Sequence, residues 1–208
     1  MSVQNGHVIL TVPSSALRTV HTVPESISSA LPKATVHSLL ATQLGLDTSS
    51  TFNSWRAVLP TMSDFGSMPI LQSTVERTSL SSKAKALLKH QEQKYAKDWA
   101  QVHSAFPAIP EEKYKYNWLI VNTRTFHYVR PGSRRPASND DCMALNPFAD
   151  YFNHASRGCT VTYDRKGYTF YADKRFEREE EIFISYGNHS NDFLLVEYGF
   201  QLEDNEFG

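Results

Sequence analysis

The chain has 208 residues, 40% of them hydrophobic and 12% aromatic, which suits one sizeable globular domain or one domain carrying an insertion. Its 21 basic and 22 acidic residues nearly cancel and leave no electrostatic footprint for nucleic acid. Two cysteines, Cys142 and Cys159, are too few for a Cys-rich zinc site or a disulfide framework. With no apolar run of membrane-spanning length and no signal-peptide pattern after Met1, the expectation is a reduced intracellular setting, cytoplasmic or nuclear, without membrane, metal or nucleic acid.

In chain order, Val8–Val12 is a β-branched run stopped by Pro13 and reads as a strand. Pro32 can open a helix, and Val36, Leu39, Leu40 and Leu44 recur at helical spacing before Gly45 ends it. A short helix around Trp55–Leu59 is terminated by Pro60, and a Ser/Gly/Pro loop follows through Pro69. A longer helix starts at about Ser81, with Ala84, Leu87, Leu88, Tyr95, Trp99, Val102 and Phe106 as its apolar stripe. Another begins after Pro110, where Glu111 and Glu112 suit the positive end of its dipole, and runs through Trp118 towards Phe126.

Residues 130–141 are rich in Pro, Gly, Ser, Arg and Asn and read as an exposed loop. Beyond them the period changes to two: Cys159, Val161 and Tyr163 alternate with threonines, and Arg165-Lys166-Gly167 turns the chain into Tyr168–Tyr171. Glu181–Tyr186 reads as a further strand, then Ser190 caps a short helix that Gly199 closes. Strand, helices, then strands describe an α+β domain with a helical insert.

Two polar clusters stand out in this frame. Asp150, Asn153 and His154 are close enough in sequence to converge on one ligand, although Asp and Asn in such a run also serve as turn caps. Tyr186 and Tyr198 flank a polar turn and a short helix, where tyrosines commonly pack with a wet hydroxyl. No Gly-framed Ser or Cys nucleophile accompanies them, and no second ligand gives the histidines zinc spacing. Arg124 ends the helix before Phe126. The mixed run Lys174–Glu181 reads as a solvated turn with no chemistry of its own.

Together these segments resemble the SET-domain protein-lysine methyltransferases, and within them the branch of the Rubisco large-subunit and ribosomal-protein methyltransferases. Asp150-Tyr151-Phe152-Asn153-His154 resembles the Asn-His motif. Tyr186-Gly187, Ser190-Asn191, Leu194-Leu195 and Tyr198-Gly199-Phe200 resemble the C-terminal signature. Asn122–Phe126 resembles a Ser-Arg-x-Phe motif, with Thr123 in place of serine, and Trp55–Pro60 resembles the start of that branch's helical insert.

The resemblance implies a β-rich SET core of short sheets, in parts at residues 1–30 and 116–208, with the insert at 31–115. It implies S-adenosylmethionine as cofactor and, as partner, a non-histone protein presenting a lysine. Arg124, Asp150, Asn153, His154 and Tyr186 would contact the cofactor, Tyr186 would be the catalytic tyrosine, and Phe126, Tyr198 and Phe200 would line the lysine channel. The chemistry agrees: a free lysine amine, with pKa about 10.4, is almost wholly protonated near neutral pH, and an aromatic channel favours its neutral form. Two departures go with the resemblance. The family's Gly-x-Gly cofactor segment should precede Val8–Val12 and is not found there, and Glu179 stands where a turn glycine is usual. The chain therefore reads as a core lacking both ends, expected to bind cofactor weakly. The alternative is a catalytically incompetent SET-like module that binds a protein.

Overall fold

The computed structural model describes residues 2–132, 138 and 141–208, so most of the expected loop at 130–141 lies outside the described residues. Strand β1, Val8–Pro13, opens the fold, and a single helical turn, α1, follows at Glu25–Ser28. Helix α2 spans Val36–Leu46. It starts at Thr35, whose Oγ1 accepts from the Ser38 N–H at 3.0 Å, and not at Pro32. It also runs through Gly45, because this is a right-handed, buried position packed against α5 and not a helix-terminating one.

Every residue from Val36 to Gly45 is buried, so α2 has no solvent face. Its polar side chains find partners on neighbouring elements, although Gln43 Oε1 is buried without one. Ser38 bonds to the Tyr114 hydroxyl, Gln43 donates to the Thr22 carbonyl, and His37 Nε2 lies 2.9 Å from the Trp118 carbonyl.

The one-turn α3, Asn53–Arg56, ends before Pro60. Three 3₁₀ turns then carry the chain to α4, Ser82–Ala105, capped by the Ser81 hydroxyl on the Ala84 N–H. The expected apolar stripe of α4 packs inward, and Gln91 and Asp98 are buried beside it. Helix α5, Glu111–Arg124, completes this helical core: its buried Trp118 donates Nε1–H to Asp98 Oδ2 at 3.0 Å. Burial of side chains such as Leu40, Trp118 and Leu119 contributes about 1.5–3 kcal/mol each.

A second core forms around the strands, from Val12, Leu17, Cys159, Phe170 and Ile184 among others. Strand β2, Thr125–His127, leaves α5 directly and pairs antiparallel with β3, Met143–Leu145. Strands β4, Asn153–Asp164, and β5, Gly167–Tyr171, form the expected hairpin, and β6 is only Phe183–Ile184, shorter than the six-residue strand the sequence suggested. Their sheet has the order β1-β5-β4-β6, with β6 parallel to β4 and the other pairs antiparallel. The β4–β6 register shifts between His154 and Cys159. Gly158 permits that close passage, since a Cβ there would stand 2.5 Å from the Phe183 carbonyl oxygen.

Helix α6, Asn191–Tyr198, has the expected ends: the Ser190 hydroxyl accepts from the Phe193 N–H, and Gly199 closes it at φ 85°. The six α-helices and two short sheets of the described residues form the α+β architecture expected from the chain.

Candidate active site

A cavity of about 260 Å³ lies where the end of α5 meets β2, β4, β6 and α6. Five of the site residues expected from sequence line it: Arg124, Phe126, Asp150, Tyr186 and Tyr198. His154 and Phe200 stand behind its aromatic wall, and Asn153 is exposed at the start of β4. Residues separated by as many as 74 positions, Arg124 and Tyr198, thus share one space.

Local structure fixes each group. Asn153 and His154 are adjacent in a strand, so their side chains leave by opposite faces. His154 turns inward, and its ring stacks on Tyr186 with centroids 5.0 Å apart. Its Nδ1 accepts the Tyr186 backbone N–H at 3.0 Å, which leaves the proton on Nε2. Desolvation lowers the His154 pKa below its ordinary value and keeps the ring neutral, although a hydrogen bond with the Ile184 backbone opposes the shift.

Tyr186 is held from both ends. Its hydroxyl donates to the Phe152 carbonyl at 2.7 Å, and its ring faces Tyr198 at 5.1 Å. Burial pushes the Tyr186 pKa up to about 12, so the hydroxyl stays protonated at neutral pH and orients rather than abstracts. Burial also raises the pKa of Tyr198, with the nearby Glu197 carboxylate adding to the shift.

Asp150 is the deepest charge in the cavity wall, its side chain 1% exposed. The Trp55 indole N–H donates to Oδ2 at 2.9 Å, and Arg124 Nη1 lies 3.8 Å from the same oxygen while donating to the Asp150 carbonyl at 2.5 Å. Oδ1 is buried without a partner, as is Arg124 Nε. Desolvation raises the Asp150 pKa against the lowering effects of Trp55 and Arg124. An unpartnered acceptor and an unpartnered donor, in a cavity lined by six Phe and Tyr rings, fit a ligand that carries both a cationic and an anionic group.

Sequence reasoning did not find Trp55 as the partner of Asp150, nor Tyr163 and Tyr168 as cavity-lining rings. The tyrosines face each other across the hairpin in register and stack at 5.2 Å. Their two-residue spacing from Val161 and Phe170, which puts them on the same strand faces as those apolar residues, is the available signal. Among the described residues no three His, Cys, Asp or Glu side chains are grouped to hold a metal ion, and no helix is long and apolar enough to cross a membrane.

Known proteins show the same arrangement of chain. The protein resembles the ribosomal lysine N-methyltransferase set11 of Schizosaccharomyces pombe, 36% identical over 109 residues that make up 52% of this chain and 27% of that one. It is 28% identical to the human SET domain-containing protein 4 over 96% of this chain and 50% of the relative. A solved structure of Rubisco LSMT bound to AdoMet superposes with a TM-score of 0.76, covering 98% of this chain and 48% of that one at 17% identity, a likeness of fold. The chain thus spans between a quarter and a half of the length of these relatives. The SET domain model matches residues 4–187, a span that runs from the edge of β1 through Arg124, Asp150 and His154 to Tyr186, and the chain belongs to the SET domain family.

Proposed function

We propose that this chain is the core of an S-adenosylmethionine-dependent protein-lysine N-methyltransferase that acts on a non-histone protein. The observation that carries the reading is the Tyr186 hydroxyl, anchored on the Phe152 carbonyl inside a cavity walled by Phe126, Tyr168 and Tyr198. The names of similar proteins support it: one is a ribosomal lysine N-methyltransferase, and another was solved with AdoMet.

S-adenosylmethionine, when bound, supplies an electrophilic methyl group on a sulfonium, together with an ammonium and a carboxylate that need partners. Arg124, Asp150, Asn153, His154 and Tyr186 are the residues we assign to it, and their donor and acceptor chemistry fits those groups. Arg124 and Asp150 also face the aromatic cavity, where Phe126 and Tyr198, with Phe200 behind them, would surround the lysine side chain. Aromatic walls strip water from the ammonium and favour the neutral, nucleophilic amine. Because Tyr186 donates its proton to Phe152, its lone pairs are left to accept from the amine and fix its direction. His154 acts through Tyr186 by holding its backbone and ring, so it is a positioning residue. Orientation of this kind is sensitive: about 1 Å of misplacement costs on the order of a hundredfold in rate.

The test is single-turnover transfer of a labelled methyl group from S-adenosylmethionine to ribosomal proteins. Tyr186→Phe should lower the rate about a hundredfold while cofactor affinity changes less than threefold. Equal rates in mutant and parent would refute the role of Tyr186. A parent that binds cofactor but modifies no protein lysine would refute the methyltransferase reading.

A further inference from the structure

A second cavity, of about 390 Å³, opens between the one-turn α1, the end of α2 and the chain leading into α3. No residue lines both it and the cavity described above. Ile27, Leu46, Phe52 and Phe106 give it apolar walls, and Arg18 and Gln43 stand among them. Both polar side chains are buried, Arg18 at 3% exposure and Gln43 at 7%. An apolar concavity of this size with a few convergent polar groups is the usual form of a small-molecule site.

Each of the two polar groups is only half satisfied. Arg18 Nη2 donates to Asp47 Oδ2 at 2.5 Å, and the guanidinium carbon lies 4.3 Å from the centre of the Phe52 ring. Its Nη1 is left buried without a partner among the described residues. Gln43 Nε2 donates to the Thr22 carbonyl at 2.8 Å, a bond that only the amino end of the side chain can make. That bond fixes the amide, so the buried atom left without a partner is the acceptor Oε1. Buried polar atoms are nearly always paired, and here one cavity holds an orphan donor and an orphan acceptor.

The surrounding charges narrow the class of partner. Asp47 pairs with Arg18, and Arg56 lies 3.5 Å from the same carboxylate oxygen. A carboxylate ligand would be set against the oxygens of Gln43 and Asp47, and an ammonium against two guanidinium groups. A neutral carboxamide offers a carbonyl to Arg18 and an N–H to Gln43. We infer that this cavity is a second ligand site, and that Arg18 and Gln43 hold there a small neutral carboxamide carried on a flat apolar body.

Three probes that share one phenyl ring test the class: benzamide, benzoate and benzylamine, the last a cation at neutral pH. Each is titrated into the 208-residue protein and followed by two-dimensional NMR of the backbone and side-chain amides. Benzamide should shift the Gln43 side-chain amide and saturate with a Kd on the order of 1 mM, in keeping with its few non-hydrogen atoms. Benzoate and benzylamine should bind about tenfold more weakly or worse, the scale of one lost hydrogen bond. Arg18→Lys keeps a cation beside Asp47 and removes Nη1, and it should weaken benzamide by about the same factor. Because Arg18 is buried, a second variant guards against loss of the fold. Ser26→Trp fills the cavity from an exposed position on α1 and should abolish saturation.

Benzoate or benzylamine binding as tightly as benzamide would overturn the class assigned. Failure of all three probes to saturate would overturn the site itself and leave its two orphan atoms to bound water. Benzamide binding unchanged in Ser26→Trp would place the probe elsewhere on the protein and would also overturn the inference. Thermal unfolding of Ser26→Trp within about 2 °C of the parent, as for a surface substitution, shows that the fold is intact.

Discussion

Trp55→Phe isolates the bond that holds the deepest carboxylate of the site. The indole is 1% exposed, and among the described residues its Nε1–H is the one side-chain donor within 3 Å of the Asp150 carboxylate, since Arg124 stands 3.8 Å from it. A hydrogen bond to a charged group contributes about 1.5–3 kcal/mol. The smaller ring leaves a partial cavity that costs about 1 kcal/mol more. The total is on the order of 3 kcal/mol, which for a chain of this size lowers Tm by about 6–12 °C.

Urea denaturation of Trp55→Phe, Asp150→Ala and the double variant measures the bond itself. With Asp150 truncated there is no carboxylate to satisfy, so Trp55→Phe should then cost only its packing term. The coupling energy should be about 2 kcal/mol. Additivity within about 0.5 kcal/mol would refute the reasoning and would mean that Asp150 draws its stability from Arg124 or solvent.

Glu179 adopts φ 68°, and its pairing with Arg178 is over 80% exposed, so little holds it there. Glu179→Gly should raise the urea midpoint by about 0.5–1 kcal/mol of stability, the left-handed strain removed less the extra freedom of the unfolded glycine; an unchanged or lower midpoint would refute this. Desolvation depresses the pKa of His37 and His154 below 6.5, so between each folded value and 6.5 the unfolded chain binds more protons. Stability should therefore be full above pH 6.5 and fall as pH drops below it, by up to about 1.4 kcal/mol per unit for each histidine. His37→Gln, compared with the parent at each pH by urea melts, should flatten that slope, and parallel curves would show that His37 does not contribute to it.

The parts of the fold that sequence exposed are those decided by neighbours along the chain. Ser81 and Ser190 cap their own helices, Gly199 ends one, and Arg165-Lys166-Gly167 turns a hairpin whose strands alternate. The motif residues from Asp150 to His154 and from Tyr186 to Phe200 were legible because their identities are rarely combined without a shared ligand. What was hidden depends on partners far away. Strand β3 has three residues and exists through its pairing with β2, and the last part of the expected strand Glu181–Tyr186 is lost because Tyr186 gives its N–H to His154. Gly45 reads as a helix end from its neighbours in sequence, whereas in the fold Asn117 of α5 packs beside it, 3.5 Å from where a Cβ would stand.

The 95-residue separation between Trp55 and Asp150 also sets an order of events during synthesis. At about 5–20 residues per second, the indole waits roughly 5–20 s for its acceptor to be made. The ring can meanwhile join the helical core with α2 and α5, but the bond that ties this core to the cleft does not yet exist. Later still come Asp192, which accepts from the Ser81 cap 111 residues upstream, and Val196, whose carbonyl accepts from Gln91. A nascent chain arrested before Tyr198 therefore has every strand of the two sheets in hand but lacks the end of α6, and with it one ring of the cavity wall.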